Sequence, residues 1–159
     1  MNRPYILVVD DNAVMAKLIC RYLEINDFEV HSASDGVACL EHVAQRIPDV
    51  ILTDVMMPRM DGLALLSALQ SNDATRRIPV IVITALNDHE TMQRAIQVGA
   101  VDVIAKPIDE TVLTTKVRLL TGMQRAQHEV ATLRAAIDAY ERGDVHAARA
   151  VLASLENKA

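Results

Sequence analysis

The sequence predicts an α/β fold: a doubly wound, five-stranded parallel sheet with helices on both faces, followed by a helical extension. Three observations predict it. Short apolar runs rich in β-branched residues recur five times, helical stripes alternate with them, and acidic, hydroxyl and ammonium groups fall where the runs end. A continuous apolar run marks a strand buried on both faces, as in a parallel sheet. Strands alternating with helices require right-handed crossovers, which lay helices on both faces of one sheet.

Tyr5-Ile-Leu-Val-Val9 reads as the first strand. Phe28 to Ala33 is a weaker, alternating second, Asp49 to Thr53 and Pro79 to Ile83 are the third and fourth, and Val101 to Ala105 is the fifth. Ala13 to Ile25 places Val14, Leu18, Ile19 and Tyr22 on one helical stripe, and Val37, Leu40 and Val43 repeat the pattern. Leu63 to Leu69 and Thr91 to Val98 continue it, with stops expected at Asn72 and Gly99. Beyond Asp109, read as a cap, a largely apolar seam recurs every three or four positions from Leu113 through Val117, Leu120, Met123, Gln127, Val130, Leu133 and Ile137 to Tyr140. One glycine, Gly122, costs only about 1 kcal/mol in a helix, so the pattern is read as continuous across it. Gly143-Asp144 marks a stop and restart, and Ala148, Val151, Leu152 and Leu155 lie along a second amphipathic helix.

With 159 residues, the chain has room for one well-buried domain and an appendage. It is 51% hydrophobic and 23% charged, the composition of an ordinary globular protein. The net charge of −5 belongs to the first part: residues 1–121 hold 11 Lys/Arg against 16 Asp/Glu, and residues 122–159 hold five of each. No basic block is present to track a phosphate backbone, which argues against nucleic-acid binding. The first apolar run is five residues long and ends in two aspartates, unlike a signal peptide or a membrane span, so a cytoplasmic protein with no membrane contact is expected. Cys20 and Cys39 lack metal-site or Cys-x-x-Cys spacing and read as buried free thiols, and the five histidines are scattered without ligand spacing. The methionines read as core filler, apart from Met56 and Met57.

In open α/β sheets, ligands bind outside the carboxyl ends of the strands. Asp10 and Asp11 follow the first strand, Asp54 the third, and Lys106 the fifth, while Thr84 ends the fourth. Clustered carboxylates repel one another and need a compensating cation. Oxygen-only donors with no His or Cys beside them suit a hard ion, Mg²⁺ or Mn²⁺ before Zn²⁺. Lys106 adds a compact positive charge. Asp61 taken alone reads as a helix cap before Gly62, and Asp10 alone has the same bland reading.

These stretches, Val8-Val9-Asp10-Asp11, Asp54-Val55-Met56-Met57-Pro58-Arg59-Met60-Asp61-Gly62, Thr84-Ala85 and Lys106-Pro107, resemble the receiver domain of bacterial two-component response regulators over roughly residues 3–121. The resemblance implies a flavodoxin-like strand order 2-1-3-4-5, with residues 1–121 as receiver and 122–159 as helical extension. Carried over by position, Asp54 is the phosphoacceptor, Asp11 a direct metal ligand, Asp10 a ligand acting mainly through metal-bound water, and the Met56 backbone carbonyl a further ligand. Thr84 and Lys106 then contact the phosphoryl oxygens, and a cis bond is expected at Lys106-Pro107. The implied donor is a histidine kinase or histidine phosphotransfer protein, and the implied chemistry is limited to the protein's own phosphoryl transfer and dephosphorylation. Two departures stand out. Val103 occupies the place of an aromatic switch residue and cannot sweep the same volume. Met56 and Leu86 put apolar groups where the family's hydrolytic water passes, which predicts a long-lived phosphoryl state.

The extension is expected to form a helical hairpin that folds back on its own receiver or pairs two chains through residues 109–142, with a homodimer favoured. No helix-turn-helix output or cyclic-dinucleotide signature is present, so a single-domain regulator and a fragment of a larger one both fit. A haloacid-dehalogenase-like phosphatase also combines this fold type with carboxylates and Mg²⁺, but Asp10-Asp11-Asn12 lacks its Asp-x-Asp spacing. A degenerate scaffold receiver is opposed by the complete acidic set.

Overall fold

The structure is a computed structural model that describes residues 3–85 and 87–156. In chain order it contains β1 (Tyr5–Val9), α1 (Ala13–Glu24), β2 (Glu29–Ala33), α2 (Gly36–Gln45), β3 (Val50–Asp54), α3 (Gly62–Gln70), β4 (Val80–Ala85), α4 (His89–Val98), β5 (Asp102–Lys106), α5 (Glu110–Glu141) and α6 (Val145–Glu156). The five strands form one parallel sheet in the order β2-β1-β3-β4-β5, which is the expected flavodoxin-like arrangement. The chain forms two compact units, one covering Arg3–Arg118 and one from Leu119 onward. No helix of the described residues is long and apolar enough to cross a membrane.

In the first unit, β1 and β3 are buried along their whole length because they lie inside the sheet with helices on both faces. Leu65, Leu66 and Leu69 of α3 are fully buried, and the same core takes in Leu7 and Ile51. Burying such a side chain contributes roughly 1.5–3 kcal/mol, so these central strands anchor the rim where they end.

Helix α1 departs from the expected stripe. It buries Ala16, Ile19 and Leu23, while Val14 and Leu18 are exposed and Tyr22 is half-buried. Both sets have helical spacing and share Ile19, and periodicity alone does not choose between them. The helix starts at Asn12, whose side chain accepts from the Val14 and Met15 N–H groups. Helix α3 ends at Gln70 with Ser71 as its cap, just before the expected stop at Asn72. Gly99 closes α4 at φ 125°, a conformation that favours glycine.

Cys39 is buried and Cys20 half-buried. Burial pushes the two thiols up to about 12 and about 11, so both are inert thiols at neutral pH. His31 and His42, which the sequence scatters, meet edge to face at 6.4 Å, and Tyr5 meets His31 edge to face at 5.3 Å.

In the second unit, α5 runs unbroken through Gly122, as expected. The chain then turns at Gly143, which has φ 81°, and Asp144 caps α6 by accepting from the Ala147 N–H at 2.9 Å. Ala136 and Ala139 before the turn and Ala148 after it are buried.

Candidate functional site

Sheet register assembles the site. Val9 pairs with Thr53, which sets Asp10 level with Asp54. Asp54 pairs with Ile83, placing Thr84 one step beyond it, and Ala85 pairs with Lys106. The residues singled out in the sequence therefore share the carboxyl rim of the sheet.

Asp10, Asp11 and Asp54 each offer a carboxylate oxygen, and these oxygens lie within 4.8 Å of one another. Asp10 and Asp54 are buried, and Asp11 is exposed. The Lys106 Nζ lies 3.2 Å from Asp54 Oδ1, and the Val55 N–H donates to the same oxygen at 2.9 Å, which fixes the plane of the carboxylate. Asp10 Oδ1 accepts from the Asn12 N–H at 2.9 Å. Burial raises the Asp10 carboxyl above its ordinary range, and the charges of Asp54 and Asp11 act in the same direction. The Asn12 N–H and Lys106 oppose that rise without cancelling it. Lys106 brings one positive charge to three carboxylates, and the donors are all hard oxygens, so the cluster fits a divalent cation such as Mg²⁺. Thr84 is buried at the end of β4, and the Lys106-Pro107 bond is cis, as the resemblance implies.

The loop after Asp54 is tied down from both ends. A Cβ on Gly62 would lie 2.1 Å from the Asp54 carbonyl oxygen, so only glycine permits this approach. Thr53 Oγ1 donates to that carbonyl at 2.9 Å, and the Gly62 N–H donates to the Val55 carbonyl at 2.9 Å. Asp61 caps α3 by accepting from the Ala64 N–H at 2.7 Å, as its sequence context predicts.

Two residues of this loop system escaped the sequence reading. Arg59 adopts φ 60°, uncommon for a side-chain-bearing residue, and its Nε donates to Asp35 Oδ2 at 2.7 Å. Asp35 is buried, caps α2 through the Ala38 N–H, and is held below the usual carboxylate range first by that N–H and then by Arg59. The Gly36 N–H donates to the Met60 carbonyl at 3.2 Å, a second tie between the α2 start and the loop. Asp35 before Gly36 carried a readable cap signal, whereas nothing local pointed to Arg59 as its partner.

Val103 is half-buried against the core and level with Val82. The Met56 side chain is 79% exposed on the loop, and Leu86 lies outside the described residues.

The family model described as "Response regulator receiver domain" matches residues 6–118. The response regulator PleD of Caulobacter vibrioides is 42% identical over 116 residues, which cover 73% of this chain and 26% of that protein. The regulatory protein AtoC of Escherichia coli is 34% identical over 132 residues, covering 83% of this chain and 28% of that one. Among solved structures, the signal receiver domain of a signal transduction histidine kinase from Syntrophus aciditrophicus superimposes with a TM-score of 0.71 at 34% identity, covering 75% of this chain and 90% of that chain. NtrX from Brucella abortus gives 0.75 at 29% identity, covering 85% and 31%. The chain thus spans little more than a quarter of the curated relatives PleD and AtoC. Register, carboxylate cluster and family match agree, and the chain belongs to the response regulator receiver domain family.

Proposed function

We propose that this chain is a phosphorylation-dependent signalling switch that accepts a phosphoryl group on Asp54 from a histidine kinase or a histidine phosphotransfer protein. The observation that carries the reading is the meeting of Asp10, Asp11 and Asp54 within 4.8 Å, with Lys106 on Asp54. Phosphoryl transfer is mainly positioning and charge stabilisation, so a fixed carboxylate beside an ammonium has most of what is needed. An Asp54 carboxylate oxygen attacks phosphorus as the bond to the donor nitrogen or oxygen breaks, and the donor leaves with that electron pair. Lys106 then pairs with the phosphoryl oxygens and Thr84 donates its hydroxyl to them. Asp10, Asp11, Asp54 and the Met56 carbonyl would hold Mg²⁺ or Mn²⁺, which supplies neutralisation of the charge on the phosphoryl oxygens when bound.

The same proposal assigns residues 1–121 to the receiver and 122–159 to an extension, places the protein in the cytoplasm, and gives it an output by protein contact. It also limits the chemistry of this chain to its own phosphoryl transfer and hydrolysis. One relative, a protein-glutamate methylesterase/protein-glutamine glutaminase of Syntrophomonas wolfei, is an enzyme, and the aligned region covers 37% of it. A phosphatase reading has no such support from the comparisons, and Asn12 stands where its second aspartate is needed.

Incubation with acetyl phosphate and Mg²⁺, followed by intact-mass measurement, tests the proposal. One phosphoryl adduct is expected on the wild type and none on Asp54→Ala. An adduct that survives Asp54→Ala, or no adduct on wild type that is folded by circular dichroism, would overturn it.

A further inference from the structure

Helix α5 carries a second pattern that the receiver does not use. From Leu119 onward its exposed large apolar residues are Leu119, Met123, Val130, Leu133, Ile137 and Tyr140, each at least 41% exposed. With Ala126, also exposed, they fall at 119, 123, 126, 130, 133, 137 and 140, steps of four and three in strict alternation. That is a seven-residue repeat with Met123, Val130 and Ile137 at a and Leu119, Ala126, Leu133 and Tyr140 at d. A strict seven-residue repeat is the signature of helices that supercoil around one another, rather than of a helix lying on a globular core. The buried alanines of this stretch of α5, Ala136 and Ala139, occupy other positions of the repeat, g and c, and the a/d residues are exposed among the described residues.

We infer that this seam is a docking surface for a second copy of the same chain, joined in parallel and in register as a two-stranded coiled coil. Charge complementarity selects the occupant. The g residue Glu129 and the following e residue Arg134 are opposite in sign. In a parallel pair each g faces the next e of the partner, so two symmetric Glu129–Arg134 pairs form. In an antiparallel pair g faces g and e faces e, and that attraction is lost. The other g positions, Gly122 and Ala136, are uncharged, so no like-charge contact opposes the parallel form. Branched residues at a, Val130 and Ile137, with Leu133 at d, favour two strands in parallel coiled coils. The inference is independent of Asp54 and its chemistry, so either can fail without the other.

Sedimentation equilibrium of the full chain tests it, with far-ultraviolet circular dichroism as the control for folding. Wild type is expected to sediment as a concentration-dependent dimer. Ile137→Asp, which places a charge at an exposed a position, should weaken association at least tenfold while the helical signal of the monomer remains. Glu129→Arg should weaken it about fivefold, as two exposed pairs turn from attraction to repulsion. Adding Arg134→Glu to it should restore wild-type association. In a Cys20→Ser background, Tyr140→Cys should form an interchain disulfide under mild oxidation, because parallel chains bring the two thiols side by side. A monomeric wild type at 100 µM, a dimer indifferent to Ile137→Asp, a dimer whose Glu129→Arg loss is not repaired by Arg134→Glu, or a dimer with no Tyr140→Cys cross-link would each overturn the inference.

Discussion

At Met56 one side chain is expected to bear on the phosphoryl lifetime. It projects from the loop after Asp54 and offers a thioether where an amide or carboxylate would bind water. Positioned polar groups commonly speed proton transfer by two or more orders of magnitude, and the sequence supplies none at Met56 or Leu86, which is the basis for expecting slow hydrolysis. Met56→Asn with Leu86→Glu is therefore expected to shorten the phosphoaspartate half-life about tenfold, read by the loss of adduct mass after donor removal. An unchanged decay would show that hydrolysis is limited elsewhere. Asp10, Asp11, Asp54 and Lys106 were legible as a cluster because each sits where an apolar run ends, and a parallel sheet brings such ends together. Arg59 was not legible. Its carboxylate partner is 24 residues away, across a strand and a helix, and a positive φ at arginine leaves no mark in composition.

Among elements, strands were read more surely than helix faces. The reading of β1 coincided with the strand, because five consecutive apolar residues admit no choice of face. The other strands shifted by a residue or two at their ends, where pairing with a neighbour rather than the chain itself decides the boundary. In α1 the expected stripe holds only at Ile19, which is buried with Ala16 and Leu23, while Val14 and Leu18 are exposed, because packing and not periodicity chooses the inward face. Helix α5 was legible in length but not in partition: Leu113 and Val117 are buried in the receiver unit, and a separate repeat begins at Leu119. Gly122 lies just past that change, is exposed, and has nothing within 4 Å of where a Cβ would stand. Gly122→Ala should thus stabilise the helix by about 1 kcal/mol, seen as helical ellipticity that persists to higher denaturant concentration. Lower stability in that variant would mean that α5 needs glycine there for a bend.

For the whole molecule, the rim is a place where folding and function oppose each other. Three carboxylates face one ammonium, and the Asp10 carboxyl is raised first by burial and then by the charges of Asp54 and Asp11. A carboxyl raised on folding binds its proton more tightly in the folded state. Its contribution to stability is therefore full below the unfolded value and lost as pH rises through the raised folded value. At neutral pH Asp10 is a cost that a cation offsets. Asp10→Asn keeps an oxygen to accept the Asn12 N–H and removes one negative charge. In EDTA it should stabilise the protein modestly, on the order of 0.5 kcal/mol after solvent screening. For wild type, Mg²⁺ at about one hundred times its dissociation constant should add about 2.7 kcal/mol. For a domain of this size that is a rise of roughly 8 °C in Tm. The increment should be smaller in Asp10→Asn, so the order of the two proteins reverses between EDTA and saturating Mg²⁺. Thermal unfolding followed by circular dichroism in the four combinations gives the answer. Equal Mg²⁺ increments in both proteins would mean that Asp10 does not help to hold the cation, and a less stable variant in EDTA would mean that carboxylate crowding is not what the rim must overcome.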